Sequence, residues 1–434
     1  MFQETWRSRL ALSGAKDWDQ RETILGIEHC CGEAFSSGEG NDHGREGNMK
    51  NLKILFVIDS FGKVGGTERD LAEMLPQLKR FSIVPIVVSL RQPRGEVQVD
   101  LQRQGFDMRI LNTTGLLSRV LALRKIIRDE RPDLIHTVLF HSDIVGRLAA
   151  IGTHVKVLSS VVNTDYDKVR LNDPNIRATR HWVAQVLDSW TARHLTTHIH
   201  ANSNAVKAAA VRDLRISSEK ITVIEQGRDS IRLGQPSAQR RDRARLLLGL
   251  QEDQEVLVNV GRQVFAKGQR YLLEAVGRLV SSRPRLVLLV AGTTGDVSRE
   301  LEHLRDRLGL RDRVLFLGHR DDVPDILASA DLFVFPSLYE GLPGAVIEAM
   351  ALGLPVIASS IEPVRETVEE GRNALLVKTA SPVELATAIQ HLLEDRETAH
   401  AFGQRSREIF EERFTLERSM VRKYDLYRQV LSLN

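Results

Sequence analysis

Thiols are nearly absent from this chain of 434 residues: its two cysteines, Cys30 and Cys31, are adjacent and precede the first strong strand pattern. The domains that follow hold no cysteine to cross-link, which excludes a disulfide framework. Long apolar runs are missing as well. None approaches the roughly 18 residues needed to cross a bilayer, and LALSGA near the start is too short and poorly flanked for a signal peptide. An excess of one charge is lacking too, with 60 Lys and Arg against 57 Asp and Glu, a formal +3. Nothing in that balance calls for a nucleic-acid partner. What remains is 42% apolar and 27% charged, the make-up of a globular chain rather than a disordered one. The length fits about two to three domains, with two as the working number, and the expected compartment is the cytoplasm.

Residues 1–48 mix Gly, Ser and Glu with isolated aromatics and show no clear periodicity, whereas MKNLKILFVIDS from Met49 reads as an ordinary protein start followed by a buried strand. The expectation for 1–48 is a disordered extension or a stretch ahead of the native start, with a small packed helix as the alternative. Alternation then sets in. LKILFVID is a strand, GTERDLAEMLPQLKR a helix and IVPIVVSL a strand, which together make a right-handed βαβ unit. The rhythm runs on through DLIHTVLF, VKVLSSVV and ITVIEQ. After the polar, arginine-rich GRDSIRLGQPSAQRRDRAR it restarts with EVLVNVGR, RLVLLVAG, RVLFLG, DLFVFPS and PVIASS. The pattern predicts an α/β protein with two Rossmann-like, doubly wound parallel-sheet domains, 49–226 and 227–412, facing a cleft. The helical end, about 413–434, is expected beside the junction and joined to the first domain.

Ligands of such sheets bind beyond the carboxyl ends of the strands. After DLFVFPS comes a loop carrying Glu340, then PGAVIEAMAL, with Pro343 expected at the first helical position and Gly353 and Pro355 as the stop. Such a start predicts unpaired amides at Gly344, Ala345 and Val346, where the helix dipole favours an anion. Gly341 and Gly344 would let a ligand approach the backbone closely. Glu340 then lies beside the anion and Glu348 lies down the helix, suited to a diol. Taken alone, the two carboxylates fit a solvated loop and a polar helix face equally well. Upstream, GRQVFAKG puts the Arg262 fork and the Lys267 ammonium after another strand, as a bound and departing diphosphate requires. Two loop cations alone are ordinary, and their combination with the acidic pair gives the pattern its specificity.

GRQVFAKG followed by ADLFVFPSLYEGLPGAVIEAMALGLPVIAS resembles the donor half of the retaining glycosyltransferases of family 4, which have the GT-B fold. The E-x7-E spacing of Glu340 and Glu348 is that family's signature, and the similarity covers residues 52–430. It implies transfer of a hexosyl unit from a UDP- or GDP-sugar to an acceptor hydroxyl with retention, in polysaccharide or glycolipid biosynthesis. By the same resemblance Arg262 and Lys267 hold the diphosphate, Glu340 contacts the transferred sugar and Glu348 binds the ribose hydroxyls. Backbone groups of Gly341, Leu342, Pro343, Gly344, Ala345 and Val346 would hold sugar and phosphate oxygens, with the base near 318–320, which includes Arg320. DSFGKVGGTERDL, with Gly65 and Gly66, is similar to the family's N-terminal glycine loop, and His141 of HTVLFHSDIVGRLAA resembles its cleft histidine. His136 is expected within the strand. The implied transition state is oxocarbenium-like, with a departing phosphate oxygen taking the acceptor's proton.

No metal and no cofactor are expected. Asp165-Tyr166-Asp167 forms a D-x-D but reads as a polar loop, and His194, His198 and His200 lack the glutamate and cysteine neighbours of zinc motifs. A nucleotide-sugar epimerase and a noncatalytic, nucleotide-sugar-binding partner subunit are the alternatives, while a dinucleotide oxidoreductase would need a glycine fingerprint that is missing. SRVLALRKIIRDERP interleaves apolar residues with Arg119, Arg124, Lys125, Arg128 and Arg131, and TRHWVAQVLDSWTARH adds tryptophans to basic residues. These stretches suit peripheral contact with an anionic membrane, at the inner face of the plasma membrane, and a carbohydrate or lipid-linked acceptor; an ordinary solvated helix face is the other reading.

Overall fold

A computed structural model describes residues 51–61, 66–92 and 97–433. The expectations for residues 1–48, their cysteines and Gly65 lie outside the described residues. Seven strands form the first sheet: β1 (Leu52–Ile58), β2 (Ile83–Ser89), β3 (Asp107–Ile110), β4 (Leu134–Val138), β5 (Lys156–Val161), β6 (His198–Ala201) and β7 (Ile221–Val223). Six form the second: β8 (Glu255–Val260), β9 (Leu286–Ala291), β10 (Val314–Gly318), β11 (Leu332–Phe335), β12 (Val356–Ser359) and β13 (Ala374–Val377). Their orders are β3-β2-β1-β4-β5-β6-β7 and β10-β9-β8-β11-β12-β13, and every pairing is parallel. Helices cover both faces of each sheet, so central strands are continuously apolar; Leu55, Phe56, Val57 and Ile58 are fully buried. In each sheet the chain winds outward one way and then reverses, which opens a crevice between β1 and β4 and another between β8 and β11.

The first lobe buries a polar chain beneath its sheet. His136 Nδ1 lies 3.0 Å from the Tyr427 hydroxyl and its Nε2 2.7 Å from Ser160 Oγ, which lies 2.8 Å from His200 Nδ1; His200 Nε2 lies 2.9 Å from the Ile224 carbonyl. His198 and His200 thus belong to β6, where His198 Nε2 lies 2.8 Å from Thr222 Oγ1. The chain of bonds ties β4, β5 and β6 to the final helix, Leu416–Ser432, whose Met420, Leu426, Tyr427 and Val430 join the first-lobe core. Burial holds the His136 pKa well below its usual value and brings that of His200 down to about 3, with Lys423 adding to both.

Two adjacent crossings connect the lobes. They bond to each other: the Arg228 N–H donates to the Phe414 carbonyl at 2.8 Å, and the Leu416 N–H donates to the Arg228 carbonyl at 3.0 Å. The lobes also touch at the turn after β11. Ser203 Oγ donates to the Gly341 carbonyl at 3.0 Å and Thr164 Oγ1 to the Glu340 carbonyl at 3.3 Å. The backbones approach so closely there that a Cβ on Gly341 would stand 1.9 Å from the Val162 carbonyl oxygen.

Gly341→Ala is therefore expected to spread the lobes while each stays folded, seen as a larger radius of gyration in X-ray scattering with little change in melting temperature; an unchanged radius would refute this account of the contact. The histidines predict an acid effect. The folded state keeps His200 neutral down to about pH 3, whereas the unfolded chain takes up that proton near pH 6.5, so stability present above pH 6.5 is lost as the pH falls through this window. Urea titrations across the window should show His200→Gln losing less stability than the parent, by on the order of a few kcal/mol; equal losses would be the contrary result.

Candidate active site in the interlobe cleft

Each crevice at a reversal point holds a pair of side chains, one from each flanking strand end. In the second lobe, β8 runs into Arg262 and then into a tight turn at Phe265–Lys267. Gly268 ends that turn at φ 58°, and a Cβ there would meet the Pro336 carbonyl at 2.2 Å, so both conformation and crowding require glycine. The turn sets Lys267 Nζ at 2.5 Å from Oε1 of Glu340, which follows β11, and 5.4 Å from the centroid of the Phe335 ring. In the first lobe, Asp59 follows β1. Its Oδ2 lies 2.8 Å from His141 Nδ1 and its Oδ1 accepts the Ser142 N–H at 2.8 Å, so one carboxylate fixes both the imidazole and the start of helix Phe140–Ala150. Leu139, just before that helix, has φ 82° and ψ 153°, backbone space that glycine prefers and that costs another residue about 1–3 kcal/mol.

A second charged cluster closes the back of the cleft. The Glu348 carboxylate is 6% exposed, and its Oε1 faces three arginines, with Arg232 at 3.2 Å, Arg228 at 3.5 Å and Arg69 at 3.7 Å. Arg228 also binds Asp70 at 2.7 Å, and Arg232 approaches Glu73 at 2.8 Å. Burial raises the pKa of Asp70 and of Glu73, against the pull of Arg228 on the first and Arg232 on the second. Glu68 is raised by burial as well, opposed by a backbone hydrogen bond and by the charge of Arg262. Arg228 reaches the start of helix Gly344–Ala351 because Gly344 has no side chain: a Cβ there would lie 2.0 Å from Arg228 Nη2.

The cleft between the lobes has a volume of about 670 Å³. Of the residues singled out in the sequence, Gly66, Arg262, Lys267, Arg320, Glu340, Gly341, Leu342, Gly344, Ala345 and Glu348 line it. His141 is not among the residues that line it, and its side chain is 51% exposed. Two expectations, the position of Pro343 and the three unpaired amides, need correction. Pro343 is the N-cap of the helix rather than its first residue. The Gly344 N–H donates to the Leu342 carbonyl at 2.9 Å and the Val346 N–H to the Pro343 carbonyl at 2.9 Å, which among the described residues leaves the Ala345 amide without a backbone acceptor. Val346 is fully buried, and the close approaches at Gly341 and Gly344 are to the other lobe and to Arg228. Arg320 gives its charge to Asp322, with Nε 2.7 Å from Oδ1.

Of the D-x-D carboxylates, Asp165 pairs with Arg170 at 2.5 Å and Asp167 accepts the Val169 N–H at 3.1 Å. Among the described residues no group of three or more His, Cys, Asp or Glu is placed to hold a metal ion. Asp59, Glu68, Arg69, Arg228 and Arg232 were not legible as site residues. Position was the available signal, since Asp59 ends the first strand and Arg228 follows β7 closely.

Residues 64–232 match the family model described as Glycosyltransferase Family 4, and residues 241–409 that of Glycosyl transferases group 1. Among curated relatives, the Escherichia coli UDP-Gal:alpha-D-GlcNAc-diphosphoundecaprenol alpha-1,3-galactosyltransferase is 30% identical over 56% of this chain and 62% of its own, so the match spans under two thirds of that enzyme's length. The alpha-D-kanosaminyltransferase of Streptomyces kanamyceticus is 25% identical over 73% of this chain and 82% of its own. In fold, the Anabaena HepE protein, solved in complex with UDP-glucose, superposes with a TM-score of 0.76 at 24% identity, covering 87% of this chain and 100% of that one. The sucrose-phosphate synthase of Thermosynechococcus elongatus gives a TM-score of 0.75 at 23% identity, over 88% and 99% of the two chains. With both lobes matched in order and both sheets wound about one cleft, this chain belongs to the family 4 type of glycosyltransferase and has the GT-B fold.

Proposed function

We propose that the protein transfers a hexosyl unit from a UDP- or GDP-sugar to an acceptor hydroxyl, with retention of anomeric configuration, in the biosynthesis of a polysaccharide or glycolipid on the cytoplasmic side. The observation that carries this reading is that Arg262, Lys267, Glu340, Glu348 and the start of helix Gly344–Ala351 line a single cleft. In this mechanism the diphosphate meets Arg262, Lys267 and the Ala345 amide. Lys267 then exchanges the Glu340 carboxylate for phosphate, which frees Glu340 to face the sugar as positive charge develops there. The bond from the anomeric carbon to the diphosphate breaks, and the negative charge left on phosphate is held by fixed cations in a partly dry cleft. A phosphate oxygen takes the acceptor's proton while the acceptor oxygen bonds to the anomeric carbon on the same face. His141, oriented by Asp59, would donate to a sugar hydroxyl from the opposite lobe, and the ribose hydroxyls would share Glu348 with its arginines.

The relatives support the donor and acceptor classes. UDP-Gal and a diphosphoundecaprenol-linked acceptor are named for the Escherichia coli enzyme, and UDP-glucose is the ligand of the Anabaena protein. Turnover of a panel of UDP- and GDP-sugars, with the anomeric proton of the product read by NMR, tests the proposal. Lys267→Ala and Glu340→Ala are each expected to lower kcat by about 10²–10³-fold while the protein remains folded, as circular dichroism would show. Parent-like turnover in either variant would remove these roles, an inverted product would remove retention, and donor isomerisation without any acceptor would favour an epimerase.

A further inference from the structure

Helix Ala178–Leu195 is inside out. Asp188, Ser189, Thr191 and Ala192 are buried, whereas Trp182 is 64% exposed, Val183 56%, Val186 50%, Leu187 38% and Trp190 50%. The five exposed residues recur at helical spacing and form one apolar stripe. Polar bonds set this rotation. Asp188 Oδ1 accepts from the fully buried Arg147 at 2.6 Å, its Oδ2 accepts from the Tyr166 hydroxyl at 3.0 Å, and Ser189 Oγ donates to the Leu214 carbonyl at 2.7 Å. Turning the stripe inward would strand a buried arginine and a buried aspartate, so the apolar face stays outside for a reason internal to the lobe. Helix Leu116–Glu130, separated from it by helix Phe140–Ala150, adds exposed Leu117 (71%) and Leu121 (56%) on the same layer.

The exposed charges of the stripe helix and of Arg177 just before it have one sign. Arg177 and Arg180 lie exposed at one end of the stripe and Arg193 and His194 at the other, and Asp188, the only acidic residue of the helix, is buried. On helix Leu116–Glu130, Lys125 and Arg128 are exposed, with Asp129 and Glu130 at its C-terminal end. We propose that this face docks on an anionic lipid surface, with Trp182 and Trp190 entering the headgroup region and the flanking arginines meeting lipid phosphates. Tryptophan suits that boundary and cations there gain from the negative surface potential, whereas a second copy of the chain would set like charge against like. The stripe also follows a segment, Val162, Asn163 and Asp165, that lines the cleft. Docking would hold that wall of the cleft against the surface from which a lipid-linked acceptor arises. The inference rests on the helix, not on the transferase reading, and can fail separately from it.

The sequence has four tryptophans, so the full chain with Trp6→Phe and Trp18→Phe leaves Trp182 and Trp190 as the only indole reporters. Sedimentation with phosphatidylglycerol–phosphatidylcholine vesicles should show salt-sensitive binding, with blue-shifted emission and protection from acrylamide, and vesicles of phosphatidylcholine alone should bind far less. In the otherwise native chain, Trp182→Ser with Trp190→Ser should weaken binding to the anionic vesicles about tenfold, and Arg177→Ser with Arg180→Ser by a similar factor. Both pairs should leave transfer to a water-soluble acceptor unchanged. Absence of binding to anionic vesicles, or binding indifferent to the tryptophans, would overturn the proposal. So would tryptophans already shielded without lipid, with light scattering then telling a dimer from coverage by another part of the chain.

Discussion

Lys267 and Glu340 stand 2.5 Å apart where the winding of the second sheet reverses, and this ion pair is the constraint on which the chemistry proposed for the cleft depends. The side chains are 21% and 12% exposed, so each has lost much of its water and needs a partner of opposite charge. In the function proposed above, an anion between Arg262 and the helix start would offer Lys267 a second partner and free Glu340 for a different positive charge. The first lobe has the same arrangement in milder form, with Asp59 and His141 joined across the reversal between β1 and β4. Both pairs follow from topology. Among the described residues the connections diverge only at these two points, where two strand ends leave a crevice open to a ligand.

Between these crevices the lobes are held by charge as well as by chain. Glu348 belongs to the second lobe, Arg69 to the first helix of the first lobe, and Arg228 and Arg232 to a crossing segment. One carboxylate therefore has partners on three parts of the fold, and any ligand that takes a share of it acts on how those parts sit together. Glycine makes the closeness possible. At Gly341 the backbone meets Val162, and at Gly344 it admits Arg228, distances of approach that a methyl group would forbid.

Much of this was legible in the sequence because parallel strands buried on both faces leave continuous apolar runs. LKILFVID and RLVLLVAG announce themselves for that reason, and the two-sheet fold follows. β3, β6 and β13 did not. β3 and β13 are four-residue edge strands, and β6 is His198–Ala201, whose two histidines are hidden by bonds to Ser160, Ile224 and Thr222 rather than by apolarity. In the cleft, Arg262, Lys267 and Glu340 could be found because each sits in a short motif just beyond a strand. Arg228 and Arg232 could not, since they lie in a polar, arginine-rich stretch that reads as a connector, and only folding brings them to Glu348. The amides at the helix start were misjudged for a local reason: Pro343 takes the cap position and the loop carbonyls bend back to accept two of them.

A crystal structure with a bound UDP- or GDP-sugar tests the central claim most directly. The predicted result is a diphosphate within hydrogen-bonding reach of Arg262, Lys267 and the Ala345 amide, with Lys267 withdrawn from Glu340. A diphosphate lodged in the first lobe, or an undisturbed Lys267–Glu340 pair with the phosphates elsewhere, would contradict it.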